Sequence, residues 1–507
     1  IEQVFQSKDY TNEWLARGYT YLKHDYLQQV NSKKNTSFNF ADDMYYGDLN
    51  YVDWKSGNYT EKGLGTGNSL YIWQPAYQGI RHLSVFLNNI DMNKEFSEPE
   101  IADMKGQAHF LRAYCYWMLI RSFGPVPILP DEGIDYTKEY DEIAYPRNSY
   151  DECVDYISNE LVKAAMLLEE ARGPQDIVRP TRGAALSLRS RVLLYAASPL
   201  FNGKAPAEVI AALVDKSGKK LLSDTYDERK WAIAAAAAKD VMELPGSNSG
   251  HRYELYHKKA VTTSEPGYPA TVAPCQDGDF SEKTWDQGGY NDIDPYASYR
   301  EVFNGSLAMY QNPELIFSRG RNQGDNSLVA MVRLQMPKVF GGGSNAYGMT
   351  MKMCDAYYMD NGEEFNRELF KETYPADKRF VTKEEAEAET YPHLKEGVYK
   401  EYANREPRFY ASVSFNGCVW SLLKNAETVD YKKDVEKQVN YYYGINTDGF
   451  SGTGVYLRSG IGIMKYVHPD DTNRKEIKPK AEPAIRFAEI LLIYAEALNE
   501  LEEGANH

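Results

Sequence analysis

The stretch 106–130, "GQAHFLRAYCYWMLIRSFGPVPILP", constrains the fold most, because apolar residues cover nearly the whole circumference of the helix that it predicts. Two apolar faces follow helical spacing, one formed by Leu111, Tyr114, Cys115 and Met118 and the other by Phe110, Ala113, Trp117 and Ile120. A helix with two apolar faces needs a neighbour on each side. Gly124 and Pro125 end it, since proline lacks an N–H donor and has a fixed φ. The sequence therefore predicts an inner helix, at about 99–123, in a stack of helices.

Other stretches predict further helices of the same kind. Ser149 lies three residues before Glu152, a capping box that predicts the start of a helix over 150–171. Segments 183–197 and 484–500 each carry alanine, tyrosine and a pair of leucines at packing positions, and 231–243 is rich in alanine. Such helices stack in pairs in tetratricopeptide repeats, where each pair buries the face that its neighbour leaves open. Their irregular spacing predicts a mainly α, tetratricopeptide-like scaffold with loop-rich insertions and a few short β-hairpins.

The chain is interpreted as one unit over 1–507 with uneven regularity. Residues 1–245 are predicted to be a mostly helical scaffold, interrupted by an aromatic loop at 31–70. Residues 246–480 form an irregular, loop-rich part, and 481–507 carry the final scaffold helix. Within the irregular part, "RFYASVSF" (408–415) alternates apolar residues and predicts a strand, in a hairpin with the segment that follows.

Composition excludes several classes of protein. The net charge is −16, and no cluster of Lys and Arg forms a basic footprint, which argues against a nucleic-acid partner. A neutral sugar and a cationic peptide both suit this charge. The five cysteines are odd in number and lack CxxC spacing, which argues against a zinc site or a disulfide framework. No apolar run reaches the roughly 18 residues of a membrane-spanning helix.

The sequence contains no recognisable catalytic motif. A glycosidase needs two suitably separated carboxylates, but among 73 acidic residues such a pair can always be imagined. We therefore predict a protein that is not an enzyme and has no cofactor, with a hydrolase as an alternative. Asp42 and Asp43 could ligate calcium, accept hydrogen bonds from sugar hydroxyls or equally cap a helix. No motif supports calcium or any other metal.

Aromatic residues in polar loops are the better indication of function. Trp54 and Trp285 each lie among Asp, Asn, Gln and Gly residues. An indole stacks on the apolar face of a sugar ring while amides and carboxylates bind its hydroxyl rim. Each ring could equally anchor its loop on the core. Trp73 and Trp117 lie on helices and are interpreted as core. The predicted ligand-binding residues are Trp54, Trp285, Tyr290, Asp43 and Asn50.

Seven stretches, in the same order, resemble blocks of the SusD/RagB outer-membrane nutrient-binding lipoproteins of Bacteroidetes. The first is "WQPAYQGIRHLSVFLNNID", which looks like the W-x3-Y-x2-I helix of that family, and the second contains "FLRAYCYWMLIRSFGPVP". The others are "RNSYDECVDYI", "RPTRGAALSLRSRVLLYAASPLF", "NPELIFSRG", "NREPRFYASV" and "AIRFAEILLIYAEALNE". Together the blocks are highly specific, and they cover most of the chain from about residue 70 onward.

The resemblance implies a surface-exposed, lipid-anchored protein of the bacterial outer membrane. Such a protein captures oligosaccharide or polysaccharide, or peptide in RagB-like members, and delivers it to a SusC-like TonB-dependent transporter barrel. A scaffold whose loops only contact the barrel is a further alternative. The shared blocks are structural and identify no ligand residue. No lipid-accepting Cys lies near Ile1, so the resemblance and not this chain implies the N-terminal lipid anchor. The chain opens without Met, which predicts a processed form, and it ends at "LEEGANH" where the family usually continues.

Overall fold

The computed structural model describes residues 1–24, 42–46, 72–246, 250–260, 278–319, 328–338, 345–421, 436–444, 448–449, 457–471, 476–481 and 483–501. The α-helices are α1 Glu2–Phe5, α2 Lys8–Tyr19, α3 Trp73–Asn89, α4 Glu98–Phe123, α5 Tyr140–Ile143, α6 Tyr150–Leu167, α7 Arg182–Ala197, α8 Ala207–Ala212, α9 Arg229–Met242, α10 Gly278–Ser281, α11 Pro295–Asn304, α12 Leu328–Gln335, α13 Met351–Asp355, α14 Arg367–Thr373, α15 Lys383–Glu387, α16 Pro407–Ser412 and α17 Phe487–Glu500. The strands are β1 Met44–Tyr46, β2 Leu315–Phe317, β3 Tyr347–Met349, β4 Val413–Phe415, β5 Val419–Ser421, β6 Glu436–Gln438, β7 Ile461–Ile463 and β8 Ile485–Arg486.

The helix α4 is the inner helix that the sequence predicts. Ser97 and Glu100 form a capping box at its start, and the chain leaves it at Gly124, where φ is 68°. Every residue over 110–120 is buried. Because α3 packs on one side of α4 and α6 on the other, both apolar faces are covered. None of the helices in the described ranges is long and apolar enough to cross a membrane.

The helices form a continuous stack in the order α3, α4, α6, α7, α9 and α17. Each contacts the next, so each helix pair covers the face that its neighbour leaves open. The last helix, α17, packs on α9 although the irregular part of the chain lies between them in sequence. Strand β8 leads into α17 and pairs with β2 of the irregular part, where Leu315 lies opposite Arg486. The prediction of a mainly helical scaffold with short strands is confirmed.

A second apolar core lies in the irregular part. Its sheet has the order β1-β3-β7-β4 with antiparallel pairs, and Met44 lies opposite Met349 at one edge. At the other edge β4 pairs with β7, and Val413 lies opposite Ile463. The first strand therefore comes from the predicted aromatic loop and the others from segments far away in sequence.

The prediction of a strand over 408–415 is wrong for its first half. Residues Pro407–Ser412 form the short helix α16, and the strand is limited to Val413–Phe415. Proline at the start of α16 has a φ suited to the first helical turn. Residues 409–415 are all buried, so the apolar alternation does not separate a core face from a solvent face. The strand also pairs with β7 and not with the segment that follows, which instead forms the pair β5 and β6.

A buried ionic network joins α3, α4 and α6. The guanidinium of Arg112 donates to Glu160 Oε2 at 2.6 Å through Nη2 and to Ser84 Oγ at 3.0 Å through Nη1. His109 lies on the same carboxylate, with Nδ1 2.9 Å from Oε2. Burial raises the pKa of the Glu160 carboxyl, but His109 and Arg112 outweigh that effect and lower it to about 2. The carboxylate is therefore charged, and its hydrogen bonds connect α6 to α4 and, through Arg112 and Ser84, to α3.

Arg112→Met should destabilise the helical stack by about 3 kcal/mol, because Glu160 then keeps a buried charge without its main counter-ion. Urea unfolding followed by circular dichroism measures the loss. The matched control is Lys220→Met, which breaks the exposed pair of Lys220 with Asp224 and should change stability far less. Equal, small losses in the two variants would contradict a structural role for the network.

Candidate ligand-binding site

A cleft of about 470 Å³ opens between α3 and the segment over 127–145. We call it the aromatic cleft, and its lining residues are Trp73, Gln74, Tyr77, Gln78, Ile80, Arg81, Ser84, Pro127, Leu129, Pro130, Gly133, Ile134, Tyr136, Ile143 and Tyr145. Its volume falls within the range of about 300–1,000 Å³ that is usual for small-molecule sites.

One wall of the aromatic cleft is a face of α3. Trp73, Tyr77 and Arg81 follow one another at a spacing of four residues, which places them in one row along the helix. Two rings of this row are fixed by packing: Trp73 meets the Phe123 ring edge to face at 5.2 Å, and the Tyr77 hydroxyl donates to the Pro127 carbonyl at 2.8 Å. Both rings are half-buried, so each presents part of its surface to the cleft.

The opposite wall follows directly from the end of α4. The chain turns away at Gly124, and the hydroxyl of Tyr116 on α4 accepts a hydrogen bond from the Leu129 amide at 2.9 Å. Further along, the ring of Tyr136 is 58% exposed, and the Arg81 guanidinium lies 4.9 Å from its centroid. This cation–π contact ties the two walls together across the mouth of the cleft.

The floor of the cleft rests on the ionic network. Ser84 lines the cleft and accepts a hydrogen bond from Arg112. The Asp131 carboxylate accepts from the Tyr156 hydroxyl at 2.6 Å and lies 3.3 Å from Arg112 Nη1. Burial raises the pKa of Tyr156, so this hydroxyl keeps its proton and donates. The floor is thus a fixed polar layer, and the residues that line the cleft offer rings, amides and one guanidinium to a ligand.

Two of the predicted ligand residues lie in a single tight turn. Residues Trp285–Gln287 form one turn of 3-10 helix, and the Tyr290 amide donates to the Phe280 carbonyl at 3.1 Å. The indole of Trp285 is half-buried and stacks on the His257 ring, with centroids 4.7 Å apart. The imidazole therefore covers one face of the indole, and part of the ring stays exposed.

The two glycines of this turn serve its backbone. Gly288 adopts φ 82°, a left-handed conformation that favours glycine. A Cβ added at Gly289 would lie 2.2 Å from the Lys283 carbonyl oxygen, so no larger residue fits there. Both glycines are therefore needed to close the turn.

The remaining predicted residues are not brought to this turn by any described contact. Asp43 lies just before β1, and its backbone carbonyl accepts from the Thr350 amide at 3.0 Å. Its neighbour Asp42 forms an ion pair with Lys352. Trp54 and Asn50 lie outside the described residues. In the ranges that the structure describes, no three His, Cys, Asp or Glu side chains are grouped to hold a metal ion. The expectation of no cofactor, with calcium at Asp42 and Asp43 as an alternative, stays a prediction.

Sequence reasoning missed the aromatic cleft. Trp117 is buried as expected, and Trp73 packs against the border of the core, where its half-buried ring also lines the cleft. The row of Trp73, Tyr77 and Arg81, flanked by Gln74 and Gln78, was the available signal. A core face would not carry two amides and a guanidinium beside its rings.

Comparison with known proteins identifies the family. One model, described as the SusD family, matches residues 313–506, and a second, described as "starch-binding associating with outer membrane", matches residues 5–194. The first match covers most of the irregular part and the last helix, and the second covers the helical stack up to α7. The chain belongs to the SusD/RagB family, as its sequence blocks predict.

The relatives are distant in sequence and similar in fold. The SusD-like protein P25 of Formosa agariphila is 24% identical over 121 residues, a match that spans 24% of this chain and 22% of that protein. A SusD-like protein of Bacteroides fragilis has a crystal structure with a TM-score of 0.65 at 20% identity, covering 99% of this chain and 76% of the other. A SusD-like carbohydrate binding protein of the same species gives 0.58 at 16% identity, covering 98% and 75%.

Gly289→Ala should open the turn that holds Trp285 and Tyr290, because the added methyl group collides with a backbone carbonyl. Hydrogen exchange of the segment over 278–292 should become markedly faster. The control is Gly288→Ala, whose Cβ meets nothing within 4 Å and which adds only the strain of a positive φ, about 1 kcal/mol. Equal exchange in the two variants would mean that close approach at Gly289 does not maintain the turn.

Proposed function

We propose that this protein captures a glycan at the surface of the bacterial outer membrane and is not an enzyme. The observation that carries the proposal is the aromatic cleft, in which half-exposed rings and side-chain amides converge. Rings stack on the apolar faces of sugars, and amides bind hydroxyl groups as both donors and acceptors. The description of the matching family model as starch-binding supports the same ligand class.

Delivery to a SusC-like TonB-dependent transporter is part of the proposal. Family membership supports the partner, and the description of the family model supports the outer membrane as the location. Lipid anchoring and exposure at the cell surface belong to the same proposal. Co-purification of the tagged protein with a TonB-dependent barrel, after detergent extraction of outer membranes, tests it. A protein that leaves such membranes without any barrel would contradict the partnership.

Capture followed by release sets the expected strength of binding. A protein that transfers its cargo needs a modest affinity, and we expect a Kd in the micromolar to millimolar range, or roughly −8 to −4 kcal/mol. The cleft does not favour the alternative of a cationic peptide, because Arg81 is the one charged side chain among the described residues that line it. A peptide ligand is therefore an outcome of the test and not a second proposal.

Tyr136→Ala should weaken glycan binding by roughly 3- to 10-fold, since one stacking ring contributes about 0.5–1.5 kcal/mol beyond its buried area. Native gels cast with a panel of soluble polysaccharides identify the ligand, and calorimetric titration gives the Kd. Tyr10→Ala is the matched control, because Tyr10 and Tyr136 are both 58% exposed and Tyr10 lies on α2, outside the cleft. Equal binding by both variants would place the site elsewhere.

Trp285→Ala tests whether the predicted loop platform is a second contact for the same glycan. On a long polysaccharide we expect weaker binding by roughly 3- to 10-fold, because the exposed part of the indole ring is no longer there to stack on a sugar. On a short oligosaccharide that fits in the cleft we expect no change. Trp285→Phe, which keeps a ring on His257, should recover most of the affinity for the long polysaccharide. Parental binding by Trp285→Ala on every ligand would make this ring a loop anchor.

A further inference from the structure

The charged side chain in the lining of the aromatic cleft is positive, whereas the protein as a whole is negative. The net charge of the chain is −16, and the segment that forms the second wall is itself rich in carboxylates. Those residues are Asp131, Glu132, Asp135, Glu139, Asp141 and Glu142. None of them is among the described residues that line the cleft, and of those residues Arg81 is the one with a permanent charge.

Two of these carboxylates are engaged by neighbouring groups. Asp131, whose side chain is 47% exposed, accepts the Tyr156 hydroxyl and lies 3.3 Å from Arg112 Nη1 at the floor of the cleft, so the guanidinium balances its charge. Asp135 accepts from the amide and the hydroxyl of Thr137 at 3.0 and 2.7 Å, which holds its carboxylate inside its own turn. The segment therefore lines the cleft with isoleucine and tyrosine side chains, and none of its acidic residues is among the described residues that line it.

The guanidinium of Arg81 is held in place without a carboxylate. It stacks on Tyr136, and it forms no ion pair with an acidic residue in the described part of the chain. Stacking occupies the face of the planar group and leaves its N–H donors at the edge. A guanidinium presented in this way offers a fork of donors that matches the two oxygens of a carboxylate or a sulfate.

The start of α3 in the same cleft adds to this preference. The residue before it, Ile72, has no side chain that can cap the helix, and the first turn carries no acidic residue. The N-terminal end of a helix bears a partial positive charge that favours an anion nearby. Trp73 and Gln74 of this first turn line the cleft, so the partial charge acts at the end of the cleft beside them, while Arg81 lies two turns further along α3.

From these observations we propose that the sugar bound in the aromatic cleft carries an anionic group, and that Arg81 binds it. The group is a carboxylate of a uronic acid or a sulfate ester, two sources of the same forked pair of oxygens. The rings of Trp73 and Tyr136 stack on the sugar, and the amides of Gln74 and Gln78 bind its hydroxyls. This inference rests on the proposed function and specifies its ligand class.

The experiment compares each acidic glycan with its own neutral counterpart. Calorimetric titration of the full chain uses oligouronates beside the same chains after carboxyl reduction, and sulfated oligosaccharides beside their desulfated forms. The arm that binds identifies the source of the anionic group. We expect the acidic form to bind at least about 10-fold more tightly than its neutral counterpart, as is usual for a hydrogen bond to a charged group.

The variants assign that preference to one residue. Arg81→Gln should bring the acidic and neutral forms to the same Kd, and Arg81→Lys should retain part of the difference as a point charge without the fork. Arg147→Gln is the matched control, since Arg147 is exposed, follows the same wall and does not line the cleft. It should keep the full preference. Circular dichroism spectra equal to the parent exclude loss of folding as the cause.

The outcomes separate the two proposals. Binding of neutral glycans as tightly as acidic ones, or a preference that survives in Arg81→Gln, would overturn the role of Arg81 and leave glycan capture standing. Binding of no glycan in any arm would overturn glycan capture and this inference together. Binding of acidic peptides in place of glycans would do the same, and it would assign the cleft to a different class of ligand.

Discussion

The structure depends on a buried charge that three helices share. Transfer of Glu160 and Arg112 from water to the interior costs several kcal/mol for each ion, and their attraction offsets this cost only at close range with further hydrogen bonds. Here the two groups lie 2.6 Å apart, and both are at most 2% exposed. Since α4 and α6 contribute the two charges, a shift of one against the other leaves a charge without its partner, and a shift of α3 removes the hydrogen bond from Arg112 to Ser84. The network therefore adds a directional constraint on these three helices to the apolar packing between them.

The same network determines the shape of the aromatic cleft. Ser84 accepts a hydrogen bond from Arg112 and also lines the cleft, and Asp131 connects the network to the start of the second wall. The amide of Asn88 on α3 also donates to the Asp131 carbonyl at 3.1 Å. A site whose walls are fixed by a buried layer loses little conformational entropy on binding, and this favours a surface that is already formed before its ligand arrives. The abrupt end of α4 at Gly124 and Pro125 directs the chain into that wall.

The second core shows how the irregular part of the family fold is assembled. Its sheet takes β1 from residues 44–46 and its other strands from positions beyond 345, so no strand lies beside its neighbour in sequence. Each strand has three residues, too few for a clear alternating pattern, and the register is set by partners that the chain reaches late. The turn around Trp285 belongs to this part, and hydrogen bonds within the loop, together with the stack on His257, hold its ring in place.

The sequence by itself determined the helical scaffold, because helix signals are local. The capping box at Ser149, the two apolar faces of 110–120 and the stop at Gly124 each lie within one or two helical turns, and the structure confirms all three. Tertiary structure alone decided the pairing of the short strands and the formation of the aromatic cleft. The rings of Trp73 and Tyr136 are more than sixty positions apart, and no local pattern shows that the segment after α4 will bring Tyr136 onto Arg81. That placement depends on contacts between α3 and this segment, such as the hydrogen bond from the Asn88 amide to the Asp131 carbonyl, and such contacts are not a property of either element alone.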